Sequence, residues 1–90
     1  MVVSVAKIEI YTSPFCGYCS RAKHLLRGKG ADFEEIDVVA DERKREEMLT
    51  RAHGRRTVPQ IFIDGRHVGG CDDLYELESA GKLDPMLAGA

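Results

Sequence analysis

The sequence predicts an α/β sandwich, a mixed four-stranded sheet covered by helices in the order β-α-β-α-β-β-α. Three observations predict it. In Lys7-Ile8-Glu9-Ile10-Tyr11 apolar residues alternate as in a strand, and from Ala22 to Leu26 they recur at helical spacing. A second strand-like run, Phe33 to Val38, follows after a short link; a strand, a helix and a strand so joined form a right-handed unit whose strands are parallel. Asp64-Gly65 then separates Val58-Pro59-Gln60-Ile61-Phe62-Ile63 from Arg66-His67-Val68, the composition of a two-residue hairpin turn between antiparallel strands.

The elements follow in order. Val5 to Tyr11 is the first strand. The first helix runs from Cys16 to Arg27, buries Ala22, Leu25 and Leu26, and ends at Gly28 and Gly30. After the second strand, Asp41 caps a helix that turns Met48, Leu49 and Ala52 inward and closes at Gly54. The hairpin comes next. Gly69-Gly70 breaks its second strand, Asp72 or Asp73 opens the third helix with Leu74 and Leu77 facing in, and Gly81 closes it. Asp84-Pro85 starts a last helical turn carrying Met86 and Leu87, with proline at its first position.

Ninety residues make a single domain, 1–90, near the length at which a chain buries enough apolar surface to fold unaided. Hydrophobic residues are 43% and charged residues 31%, a balance unlike that of disordered chains. A net charge of −2, with 13 basic residues scattered among 15 acidic ones, predicts no nucleic-acid partner. No apolar run approaches the roughly 20 residues of a membrane span, and Met1-Val2-Val3-Ser4-Val5 has no basic flank or cleavage site. The expected location is the cytoplasm, with no membrane partner. An odd cysteine count in such a compartment argues for working thiols over structural disulfides.

Cys16-Gly17-Tyr18-Cys19 carries the chemistry. A Cys-x-x-Cys at a strand-to-helix junction reads as a thioredoxin-like redox motif, and the element order as a thioredoxin-like fold. At the start of a helix, unpaired amides and the helix dipole favour the thiolate of Cys16, the form that attacks a disulfide. Cys19, one turn further in, is placed to resolve the mixed disulfide. The pair could also be half of a zinc site, but no second Cys-x-x-Cys accompanies it and His24, His53 and His67 stand at unrelated spacings, so no metal site is expected. The three histidines are read as surface residues.

Two further segments accompany the motif. Thr57-Val58-Pro59 precedes the buried strand, with proline where a lost amide costs least; facing a Cys-x-x-Cys in this fold, the Val58–Pro59 bond is expected to be cis. Gly69-Gly70-Cys71-Asp72-Asp73 joins strand to helix. It reads equally as a site for a carboxylate and an ammonium side by side, as at the end of an amino acid, or as a glycine turn with an aspartate cap.

With these segments in order, the chain resembles the glutaredoxins, of the small bacterial dithiol kind, over nearly its whole length. Ile10-Tyr11-Thr12, Cys16 to Cys19, Arg21-Ala22-Lys23, Arg45-Glu46-Glu47-Met48, Thr57 to Ile63 and Gly69 to Tyr75 carry the resemblance. It implies a glutathione-dependent thiol–disulfide oxidoreductase that reduces protein–glutathione mixed disulfides and protein disulfides. Cys16 is then the nucleophile and Cys19 its partner. The Val58 backbone, between Thr57 and Pro59, pairs with the cysteinyl part of glutathione. Asp72 and Asp73 take its γ-glutamyl end, Tyr18 walls the groove, and Arg56 is the candidate for the glycine carboxylate. Cys71 is a second redox thiol, a glutathionylation site or a residue lining the groove.

The chain departs from the family pattern twice. Ser13 stands where the family often has lysine, so Arg56 or Lys23 is expected to supply the missing cation. Gly17 stands where proline is frequent, and some glutaredoxin-like proteins with glycine there resemble iron–sulfur carriers, so the alternative function is a 2Fe–2S scaffold held by a glutathione-bridged dimer. Otherwise a monomer is expected. A thioredoxin proper would share the fold and the cysteines, but the chain has no tryptophan and Gly69 to Asp73 suits a glutathione terminus.

Overall fold

The computed structural model describes residues 5–89, so the expected lead-in Met1-Val2-Val3-Ser4 lies outside the described residues. Strand β1 (Ile8–Thr12), helix α1 (Gly17–Gly28), β2 (Glu34–Asp37), α2 (Glu42–Arg51), β3 (Gln60–Ile63), β4 (Arg66–Gly69), α3 (Cys71–Ser79) and the short α4 (Leu83–Leu87) follow one another. The strands lie in the order β2-β1-β3-β4. β1 is parallel to β2 and antiparallel to β3, so Ile10 stands between Glu35 and Ile61. Asp64 and Gly65 both hold positive φ, 51° and 77°, in the tight turn from β3 to antiparallel β4.

Alternation along the strands sorts the core into two layers. Ile8, Ile10, Ile61 and Ile63 pack on one face of the sheet against Ala22 and Leu26 of α1, Leu74 of α3, and Leu83 and Leu87 of α4. Tyr11 and Phe62, one register step away, turn to the other face and meet Val38 and, from α2, Met48, with Ala52 just beyond that helix. The Tyr11 hydroxyl is not left unpaired there: it donates to Glu47 at 2.7 Å and accepts from Arg51 at 2.9 Å. Arg51 also pairs with Glu9 at 2.9 Å and lies 4.0 Å over the Phe62 ring. Its guanidinium holds the Glu9 carboxyl below the usual range, while burial and then Glu47 push Tyr11 up to about 12.

Several boundaries move from their expected places. β1 begins at Ile8 because the amides of Val5 and Ala6 turn to the Leu87 carbonyl. β3 begins at Gln60, after the proline that lacks an amide. α2 stops at Arg51, before the expected Gly54. Neither Asp72 nor Asp73 caps α3; Gly70 does, and Asp73 reaches back from the third helical position to accept its amide at 2.8 Å. α4 begins at Leu83, which puts Pro85 third instead of first, still within the turn whose amides have no partner inside the helix.

Candidate active site

Cys16 stands at the junction of β1 and α1 as the N-cap residue itself, one step outside the helix. Its sulfur takes the role that a Ser or Asp oxygen usually takes there, accepting the amide of Cys19 at 3.2 Å. No acidic residue in the first turn of α1 opposes negative charge on that sulfur. Cys16 is half-buried, whereas Cys19, on the inner face of α1, is 2% exposed. Burial first, then the hydrogen bond and charge of Cys16, push the Cys19 thiol up to about 12. Identical side chains three residues apart thus sit in opposite surroundings: one is reachable, the other keeps its proton.

Two cavities open beside Cys16. The first, about 330 Å³, is lined by Tyr18, Arg55, Thr57, Val58, Pro59, Gly70, Cys71, Asp72 and Asp73. The Val58 carbonyl oxygen lies 3.7 Å from the Cys16 sulfur, and the Val58–Pro59 bond is cis, as expected. Seven of the residues singled out from the sequence therefore share one groove beside Cys16. Arg56 does not line it. Its neighbour Arg55 does, drawn in by Asp73 at 3.3 Å, and this corrects the expected placement.

Asp73 shapes the far end of the groove. The Gly70 amide and then Arg55 hold its carboxyl below the usual aspartate range. Gly69, at φ 116°, comes so close that a Cβ there would collide with the Asp73 carboxylate. The amides at the start of α3 face outward without acceptors inside the helix, and Cys71, at its first position, is 4% exposed with burial raising its thiol. A buried side chain supports the near wall. Gln60 donates to the Thr57 carbonyl and hydroxyl at 3.0 and 3.2 Å, and its own oxygen lies 2.7 Å from His67 Nε2, which therefore carries a proton. His67 is thus not a surface residue; it is half-buried and stacked on Phe62 at 5.0 Å.

The second cavity, about 670 Å³, is lined by both cysteines together with Thr12, Lys23, Glu35 and Asp37, among others. Lys23 pairs with Glu35 at 2.9 Å, and the Thr12 hydroxyl donates to the same oxygen at 2.8 Å. Lys23 first, and burial against it, leave the Glu35 carboxyl below its usual range. These three come from β1, α1 and the strand β2, and nothing in their spacing marks them as a group. Phe15, just before Cys16, is wholly exposed and held at φ 57°. At Gly17 a Cβ would meet nothing within 4 Å, so packing does not demand glycine there. Among the described residues no group of three or more His, Cys, Asp or Glu is gathered as for a metal ion.

The comparisons with known proteins agree with this geometry. Residues 8–68 match the family model described as Glutaredoxin. The chain is 57% identical over 83 residues to glutaredoxin 3 of Escherichia coli K12, covering 92% of this chain and 99% of that one. Among solved structures, the glutaredoxin of Brucella melitensis superimposes with a TM-score of 0.82 at 56% identity, covering 98% of this chain and 96% of that one. The buckwheat glutaredoxin–glutathione complex gives 0.85 at 36% identity, covering 98% and 82%. A thioredoxin-like sheet with a Cys-x-x-Cys at its α1 junction, matched over almost its whole length by such relatives, belongs to the glutaredoxin family of glutathione-dependent thiol–disulfide oxidoreductases.

Proposed function

We propose that this chain reduces protein–glutathione mixed disulfides, and in a second mode protein disulfides, with glutathione as the electron donor in the cytoplasm. The observation that carries the reading is the groove from Tyr18 to Asp73 with the Cys16 sulfur beside it, 3.7 Å from Val58. Glutathione is extended, with a carboxylate and an ammonium at its γ-glutamyl end. The Val58 backbone would pair with its cysteinyl unit, the α3 amides at Asp72 would take the carboxylate, and Asp73 the ammonium. Arg55 replaces Arg56 as the cation lining the groove.

The Cys16 thiolate attacks the glutathione sulfur of the mixed disulfide, and the protein thiolate leaves. A second glutathione thiolate then attacks the Cys16–glutathione disulfide, releasing oxidised glutathione and the Cys16 thiolate. For a protein disulfide, Cys19 resolves the intermediate. The test is turnover of a glutathionylated peptide with glutathione and glutathione reductase. Cys16→Ser abolishes it and Cys19→Ser keeps much of it; full activity in Cys16→Ser overturns the proposal.

A further inference from the structure

The larger cavity lies against both cysteines, and its lining contains a fixed ion pair. Lys23 stands four residues after Cys19 on α1, the spacing that stacks two side chains on one helix face. Among the described residues lining the cavity, Lys23 is the one cation, against the carboxylates of Glu35 and Asp37 from β2. Its ammonium is tied to a Glu35 oxygen that Thr12, 2% exposed, also holds.

We propose that Lys23, held by Glu35, supplies the positive charge that lets buried Cys19 ionise to resolve a mixed disulfide on Cys16, favouring protein disulfides among the substrates. This rests on the two-mode reading above. In the step, the Cys19 S–H loses its proton to water in the cavity and the thiolate attacks the Cys16 sulfur. The Cys16–substrate S–S bond breaks, its electron pair leaves on the substrate sulfur, which takes up a proton, and the Cys16–Cys19 disulfide forms.

The charges facing Cys19 change during the cycle. Once Cys16 is tied into a mixed disulfide, its charge and hydrogen bond no longer hold the Cys19 proton; burial still does. A backbone hydrogen bond at Ser13 and the charge of Lys23 then oppose burial; both already lower the Cys19 thiol, and Lys23 is the one that does so as a full positive charge. Without Lys23, the cavity that Cys19 lines would hold the carboxylates of Glu35 and Asp37 and no cation in its lining, which disfavours a further negative charge there. Glutathione mixed disulfides are released by glutathione and do not wait for Cys19, so the loss should fall unequally on the two substrate classes.

The test compares full-length variants on two substrates, a protein with one intramolecular disulfide and a glutathionylated peptide. Lys23→Gln lowers the ratio of the two turnover rates about two- to fivefold, as for one partly exposed charge interaction. Lys23→Arg restores the ratio, and adding Glu35→Gln to Lys23→Gln recovers part of it. A second readout is alkylation of Cys19 by iodoacetamide at a fixed alkaline pH, followed by peptide mass in Cys16→Ser protein. Lys23→Gln slows it, whereas a variant that merely loosened the fold would speed it. Equal losses on both substrates, or a Cys19 alkylation rate that Lys23→Gln does not slow, overturns the inference. A chain unable to turn over the glutathionylated peptide at all fails the proposed function instead, whatever Lys23 does to Cys19.

Discussion

The amide of Cys19 donates to the sulfur of Cys16 across 3.2 Å, while burial pushes the thiol of the same Cys19 up to about 12. Backbone and side chain of Cys19 thus act in opposite directions. In the proposed reaction the backbone serves the attack, and the buried side chain waits for the resolution.

The pH dependence of the two modes should differ. Burial keeps the Cys19 thiol raised in the mixed disulfide as well, so its thiolate fraction grows with pH, by up to about tenfold per unit, across the neutral and mildly alkaline range. In single turnovers, the rate of protein-disulfide reduction by the wild-type chain, divided by the rate of deglutathionylation by Cys19→Ser, is expected to climb with pH. Dividing the rates removes the ionisation of Cys16, common to both. A ratio flat with pH would contradict the assignment of Cys19.

Asp73→Asn removes the charge at the end of the groove proposed for the γ-glutamyl group and weakens the bond to the Gly70 amide. The expected result is a KM for glutathionylated peptide raised about tenfold, as for a lost hydrogen bond to a charged group, with kcat little changed. Stability should fall by about 1 kcal/mol, as for loss of a helix cap. Because this carboxyl is depressed in the folded chain, its contribution is present above the ordinary aspartate range and lost only as pH falls below that range. Steady-state kinetics and denaturant titration check the two halves separately.

The correction from Arg56 to Arg55 can be tested directly. Arg55→Ala takes away a groove wall and the partner of Asp73, and is expected to raise KM about three- to tenfold. Arg56→Ala should raise it less. The reverse order would return the glycine carboxylate of glutathione to Arg56.

Stability against alkali is set partly on the opposite face of the sheet. Tyr11 is raised from 10.0 to about 12 in the fold, so its contribution is complete below its unfolded value and disappears as pH rises through the folded one. Denaturant midpoints should begin to fall near pH 9, where the raised Cys19 thiol starts to lose its contribution, and fall more steeply from pH 10 to about 12 as Tyr11 adds its own. Arg51→Met leaves Glu9 and Tyr11 without their shared donor and should cost about 2 kcal/mol at neutral pH.

Much of this molecule is legible in short stretches of chain. Ile8 and Ile10 against Glu9 and Tyr11 announce a strand with two different faces, and the structure buries them in two different layers. Asp64-Gly65 dictates the hairpin, and the Cys16 to Cys19 spacing dictates a capping thiol and a buried one. The segments at Thr57 and Gly69 were recognisable as halves of one site, though not that Gly70 would cap α3. The misplacements have a common cause. Arg55 and Arg56 are alike and adjacent, and what separates them is Asp73, 18 residues away on α3. His67 looks like a surface strand residue until Gln60 and Phe62 are set beside it. Lys23, Glu35 and Thr12 meet only once the parallel pairing of β1 and β2 brings Glu35 alongside α1.

By itself, then, the sequence determined the elements, their order and the pair of thiols, because periodicity, capping and turn geometry act over a few residues and are written locally. Tertiary structure alone decided which arginine lines the groove, how firmly Cys19 holds its proton and which cation faces it. Those depend on burial and on Coulomb interactions between groups remote along the chain, whose strength follows distance in space and solvent access.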